Sequence, residues 1–112
     1  MAARLTTHVL DTARGVPAAG VGIALFALDG DARTLLAQSV SNADGRTAEP
    51  LALALEPGMY ELVFDVAAYF AAGGTPGFYD RIPVRFRIDA GATHYHVPLL
   101  VAPWGYTTYR GS

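Results

Sequence analysis

The chain contains no cysteine and no lysine. Without cysteine there are no disulfide cross-links and no thiolate chemistry, which fits a reducing compartment. All eight cationic residues are arginine, set against ten acidic ones for a net charge of −2. There is no basic stripe, which a sequence-independent nucleic-acid binder needs, so no nucleic-acid partner is expected. Charged residues of both signs make up only 16% of the chain. The opening stretch MAARLTTHVLDTARG lacks the long apolar run of a signal peptide or a membrane anchor, so no membrane partner is expected. With Met1 at its head the chain reads as complete, and a cytoplasmic protein is expected.

What is present is apolar. Hydrophobic residues make up 52% of 112 positions. That length suits one domain, over residues 1–112, and not comfortably two. A domain this small has a high ratio of surface to volume, so part of its apolar content falls on the surface. A large apolar patch there marks an interface, and self-association is expected.

Short β-like runs separated by turn signals dominate the chain. LTTHVLD (5–11) ends at a turn around Arg14-Gly15-Val16-Pro17. VGIALFAL (21–28), almost continuously apolar, reads as a central strand and stops at Asp29-Gly30-Asp31. RTLLAQSV (33–40) ends in the strong turn signal Ser41-Asn42-Ala43-Asp44-Gly45. MYELVFDV (59–66) alternates apolar and polar, as do RIPVRFRID (81–89) and HYHVPLLV (94–101); WGYTTY (104–109) follows. VAAYFAA (66–72) is the one stretch that suits a helix, with Gly73-Gly74 as its stop. Some seven strands with a turn every 8–12 residues predict an antiparallel β-sandwich.

Alternation then places the side chains, since successive strand residues point to opposite faces. In 94–101, Tyr95, Val97, Leu99 and Val101 form the core face, which turns His94, His96, Pro98 and Leu100 outward. In 5–11, Leu5, Thr7 and Val9 face the core and His8 faces out beside Leu10. Tyr109 faces out with Thr107. An outer face carrying Leu10, Pro98, Leu100 and Tyr109 is too apolar for water, so it is expected to pack against a second copy of the chain. Histidines on it are then partly desolvated, which disfavours their charged form and suits a base near neutral pH.

Three readings of His8, His94 and His96 follow from the residues alone. They are ordinary surface or interface side chains. Alternatively, His-x-His on one strand, with His8 as a third ligand, holds a metal ion; no cysteine or obvious carboxylate joins them. In the third reading two histidines work as acid and base beside an arginine that polarises an oxygen.

LTTHVLDTARGVPAAGVGIAL near the start and HYHVPLLVAPWGYTTYRGS at the end resemble the two signatures of the transthyretin-like family, and within it the 5-hydroxyisourate hydrolases of purine breakdown. The likeness runs from residue 5 to 112. It implies a transthyretin-type antiparallel β-sandwich of seven to eight strands with one short helix. It also implies a homotetramer, a dimer of dimers, with a channel between dimers lined by the first and the last two strands. The reaction implied is hydrolysis of 5-hydroxyisourate to 2-oxo-4-hydroxy-4-carboxy-5-ureidoimidazoline, with no cofactor and no metal.

The resemblance also distributes roles. The family's first histidine falls on His8, the arginine after its Asp-Gly turn on Arg46, and the second histidine of its His-Tyr-His stretch on His96. These three are the expected catalytic residues. Tyr109 and Ser112 of the terminal Tyr-Arg-Gly-Ser join His8 and Arg46 in binding substrate, while His94 is taken as peripheral. A passive carrier of apolar ligands is the competing function, and a structural interaction module a third. The His/Arg/His set argues against the carrier, because a passive apolar channel gains nothing from polar groups it must desolvate.

Overall fold

A computed structural model describes residues 2–112. Its strands are β1 (Ala3–Asp11), β2 (Val16–Pro17), β3 (Gly22–Asp29), β4 (Ala32–Val40), β5 (Ala52–Leu55), β6 (Gly58–Asp65), β7 (Arg81–Ile88), β8 (His94–Ala102) and β9 (Gly105–Thr108). One helix, α1 (Val66–Ala72), follows β6 directly. The strands form two sheets, β2-β1-β8-β9 with β5 also on β1, and β4-β3-β6-β7. The sheets close on an interlayer of aliphatic side chains. Leu5, Val9, Leu99 and Val101 come from one sheet, and Leu25, Leu62, Phe64 and Ile82 from the other; all are fully buried. Burying such side chains, at about 1.5–3 kcal/mol each, is the main force holding the layers together.

The expected β-sandwich with one short helix is borne out, with three differences in detail. First, β1 and β8 pair parallel, Arg4 to His94 through Asp11 to Val101, while the other pairings are antiparallel. Turn signals show where the chain reverses between neighbours in sequence. They do not show which strands some 90 residues apart become neighbours in space. Second, two strands were not expected. β2 makes only two pairs with β1, and β5 joins the same edge of β1 at its other end. Runs of two and four residues are too short to show alternation. Third, β9 stops at Thr108 rather than Tyr109.

Local chemistry accounts for the boundaries. The β3–β4 hairpin closes on Gly30-Asp31, and Gly30 has φ +60°, as a two-residue hairpin loop requires. The Asp65 carboxylate accepts from the Ala68 amide at the start of α1, and Gly73 ends it. β9 stops opposite Pro98. That residue has no N–H to return to Tyr109, so the ladder lapses. It resumes in the same register at Gly111, whose amide donates to the His96 carbonyl at 2.7 Å.

Candidate functional site

The parallel β1–β8 ladder builds the site. Its outward rows are Arg4 beside His94, Thr6 beside His96, His8 beside Pro98 and Leu10 beside Leu100. The expected faces hold: Leu5, Thr7, Val9, Tyr95, Val97, Leu99 and Val101 are buried, while His8, His94 and His96 are half-buried on the other side. The outer face is less bare than its composition suggested. Pro98 is buried within the chain itself and Leu10 and Leu100 are half-buried, but Tyr109 is 56% exposed and Trp104 73%.

His96 sits between two supports. The Thr6 hydroxyl lies 2.9 Å from its Nδ1. On its other side stands Gly111, where an added Cβ would lie only 2.5 Å from His96 Cδ2. The same Thr6 hydroxyl lies 2.9 Å from His94 Nε2. His94, expected at the rim, is therefore linked to His96 through one side chain. Burial lowers the His96 pKa from its ordinary value. The charges of Arg46, His8 and His94 push the same way, against a backbone hydrogen bond at Thr6 that raises it. The ring is neutral at neutral pH and has a lone pair to offer.

Arg46 reaches this neighbourhood on a turn built around Asn42. The Asn42 side-chain oxygen accepts from the amides of Asp44 and Arg46, and its main-chain N–H donates to the Arg46 carbonyl. The turn docks on β1 through a 2.7 Å bond from the Val9 amide to the Gly45 carbonyl. Gly45 has φ +74°, and a Cβ there would run into the Val9 carbonyl and come within 3.2 Å of His8 Cδ2. Glycine is required for both reasons. The backbone of the turn thus lies against the His8 ring, and the exposed Arg46 guanidinium is free to meet a ligand.

The tail stays close to β8. Arg110 stacks over the Tyr95 ring at 4.2 Å, Gly111 bridges to His96, and Ser112 is exposed. His8, His96, Arg46 and the end of the chain thus meet on one outer face. Among the described residues, no three His, Cys, Asp or Glu side chains are grouped as metal ligands. The facing nitrogens of His94 and His96 both engage Thr6.

Two surface clefts lie elsewhere. One of about 820 Å³ runs over the outer face of the β4-β3-β6-β7 sheet. Another of about 520 Å³ lies beside Asp11 and Tyr69. Neither includes His8, Arg46 or His96. Within one chain the site is an outward wall of half-buried and exposed side chains.

Sequence reasoning missed Thr6, Asn42 and Gly111. Thr6 and Gly111 stood inside the quoted end motifs, and Asn42 inside a turn signal, but nothing in the sequence assigned their contacts.

Comparison with known proteins places the chain. Residues 5–111 match the HIUase/Transthyretin family. A 5-hydroxyisourate hydrolase from Mesorhizobium japonicum is 56% identical, over 97% of this chain and 92% of that one. The crystal structure of an (S)-allantoin synthase superposes with a TM-score of 0.89 at 44% identity; it covers 99% of this chain, which spans only 44% of that protein's length. Transthyretin from Sparus aurata superposes equally well, TM-score 0.89, but at 29% identity, with 96% of each chain covered.

Proposed function

Since the chain belongs to the HIUase/Transthyretin family, we propose that it hydrolyses 5-hydroxyisourate to 2-oxo-4-hydroxy-4-carboxy-5-ureidoimidazoline. One observation carries the reading. His8 and His96 share the outward face of β1 and β8, the turn that carries Arg46 packs against the His8 ring, and burial together with the nearby Arg46, His8 and His94 charges lowers the His96 pKa. A carrier channel has no use for that cost, whereas amide hydrolysis uses each group. A neutral imidazole takes a proton from water as the oxygen attacks the ring carbonyl. Arg46 holds the planar substrate and the oxyanion through its forked donors. The second histidine protonates the departing nitrogen, and the C–N bond opens. General acid–base assistance of this kind is worth about 10²–10⁴-fold.

The same reading takes residues 1–112 as one hydrolase domain acting in the cytoplasm, without cofactor or metal. It assembles as a dimer of dimers in which a second copy closes the outward wall of β1, β8 and β9. Tyr109 and Ser112 contact the substrate there. The half-buried outward histidines beside the exposed Trp104 and Tyr109 support the assembly.

The test is to generate 5-hydroxyisourate in situ from urate, add the purified protein with and without EDTA, and follow the ultraviolet absorbance. Accelerated decay indifferent to EDTA is expected, lost in His8→Ala and His96→Ala. No acceleration from folded, tetrameric protein overturns the hydrolase and favours the carrier. Decay stopped by EDTA overturns the metal-free reaction.

A further inference from the structure

The Thr6 hydroxyl lies 2.9 Å from His96 Nδ1 and 2.9 Å from His94 Nε2. A hydroxyl has one proton and can accept as well as donate. With the two rings as its hydrogen-bond partners, the hydroxyl gives its single proton to one neutral imidazole and accepts from the other, since accepting from both would leave that proton without an acceptor; two arrangements result. In the first, Thr6 donates to His94 Nε2 and accepts the Nδ1–H of His96. Both rings then carry their proton on Nδ1, and His96 Nε2 is bare. In the second, His94 Nε2–H donates to Thr6 and Thr6 donates to His96 Nδ1. Both rings then carry their proton on Nε2, and His96 has no free lone pair. One side chain therefore ties the tautomers of two histidines together.

The packing decides which nitrogen of His96 can work. Nδ1 is held by Thr6, and Cδ2 lies against Gly111, too close for even a methyl group to enter. The ring is gripped on both sides, so the edge bearing Nε2 is the one left to a ligand. Thr6 is itself fixed. It is β-branched, in mid-strand, and directly beside His96 in the parallel ladder. The charged and titratable groups facing His96 are Arg46 from its turn, His8 from β1 and His94 from β8. All three oppose a resting positive charge on it.

We propose that Thr6 and His94 are positioning residues that hold His96 in the first arrangement, so that His96 Nε2 is the base that takes the proton from water. The proposal rests on the hydrolase reading and names its base. It gives His94, two residues away and outside direct contact with the reacting atoms, a role through Thr6.

The deciding measurement is ¹⁵N NMR of the histidine rings in the intact protein, at a pH where both are neutral. Both His94 and His96 are expected to show protonated Nδ1 and bare Nε2. Protons on Nε2 in both rings overturn the proposal. This readout needs no turnover, so it separates from the failure of the hydrolase reading, which shows as no acceleration by the wild-type protein.

Kinetics supply the second arm. Thr6→Val keeps the shape and removes the hydroxyl, and kcat is expected to fall about 10- to 100-fold, the usual cost of losing a partner that orients a histidine. KM stays unchanged, and the His96 tautomer is released. Thr6→Ser restores both kcat and the tautomer, which a merely structural threonine would not require. Wild-type kcat in Thr6→Val, or equal loss in both variants with tautomers unaltered, refutes the role.

Discussion

Gly111→Ala isolates the contact between the tail and the His96 ring. Gly111 is not among the residues with positive φ, so alanine brings no backbone strain. Its methyl carbon would lie 2.5 Å from His96 Cδ2, 3.2 Å from Cγ and 3.3 Å from Cβ. Ordinary carbon contacts begin near 3.5 Å, so the overlap is about 1 Å. The ring is the part that yields, because the tail is fastened by the Gly111 amide on the His96 carbonyl and by Arg110 over Tyr95. A shift of that size toward Thr6 or out of its plane spoils the 2.9 Å bond to Nδ1, since hydrogen bonds weaken steeply with misalignment. A misplacement of about 1 Å at a reacting group costs on the order of 100-fold in rate. Stability loses at most a single hydrogen bond, about 1 kcal/mol, or a few degrees in Tm. The assay is absorbance decay of 5-hydroxyisourate beside a thermal melt. Wild-type kcat from Gly111→Ala refutes the claim that the tail sets the ring.

Four further outcomes follow from the structure. Because the folded state lowers the His96 pKa, the ring stays neutral below the ordinary histidine value of about 6.5; the acid limb of kcat/KM is expected below that value. The unfolded chain binds this proton more readily, so the His96 contribution to stability is intact above about pH 6.5 and is lost as pH falls through the folded value, which denaturant titration against pH measures. Removing Tyr109–Ser112 uncovers one side of His96 while leaving the interlayer core intact, so a folded but inactive protein is expected; full activity from the truncated chain counts against it. Glu61→Gln alters the opposite sheet, where the buried carboxylate bridges Arg33 at 3.0 Å and Arg85 at 2.8 Å. It is expected to lower stability by about 1–2 kcal/mol, since both arginines are more than half exposed, and to leave kcat unchanged.

The fold was legible where local chemistry decides it. The alternation of HYHVPLLV separates a core face from an outer face, and the β8 burial follows it residue by residue apart from Pro98. The helix over 66–72 was readable from its alanines and the glycine pair behind it, and α1 has those bounds. Pro98 shows where the reasoning stops. It points outward as alternation requires, yet it is buried. Whether an outward residue is covered depends on its neighbours across the ladder, and alternation within one strand does not report them.

The site shows the same division more sharply. His8 and His96 declare themselves by residue type, whereas Thr6, Asn42 and Gly111 are ordinary residues until a register is known. Thr6 matters because β1 and β8 run parallel with an offset that sets it beside His96. Sliding the ladder by one residue would put Thr7 or Leu5 there, each facing the core. Gly111 matters because β9 continues past the lapse at Pro98 in unchanged register and arrives opposite the same histidine. The His96 ring is thus held by two residues some 105 positions apart, and both long-range registers must be correct together. Composition and periodicity choose the types of groups that can do the chemistry. The pairing of distant strands chooses which nitrogen of which ring does it.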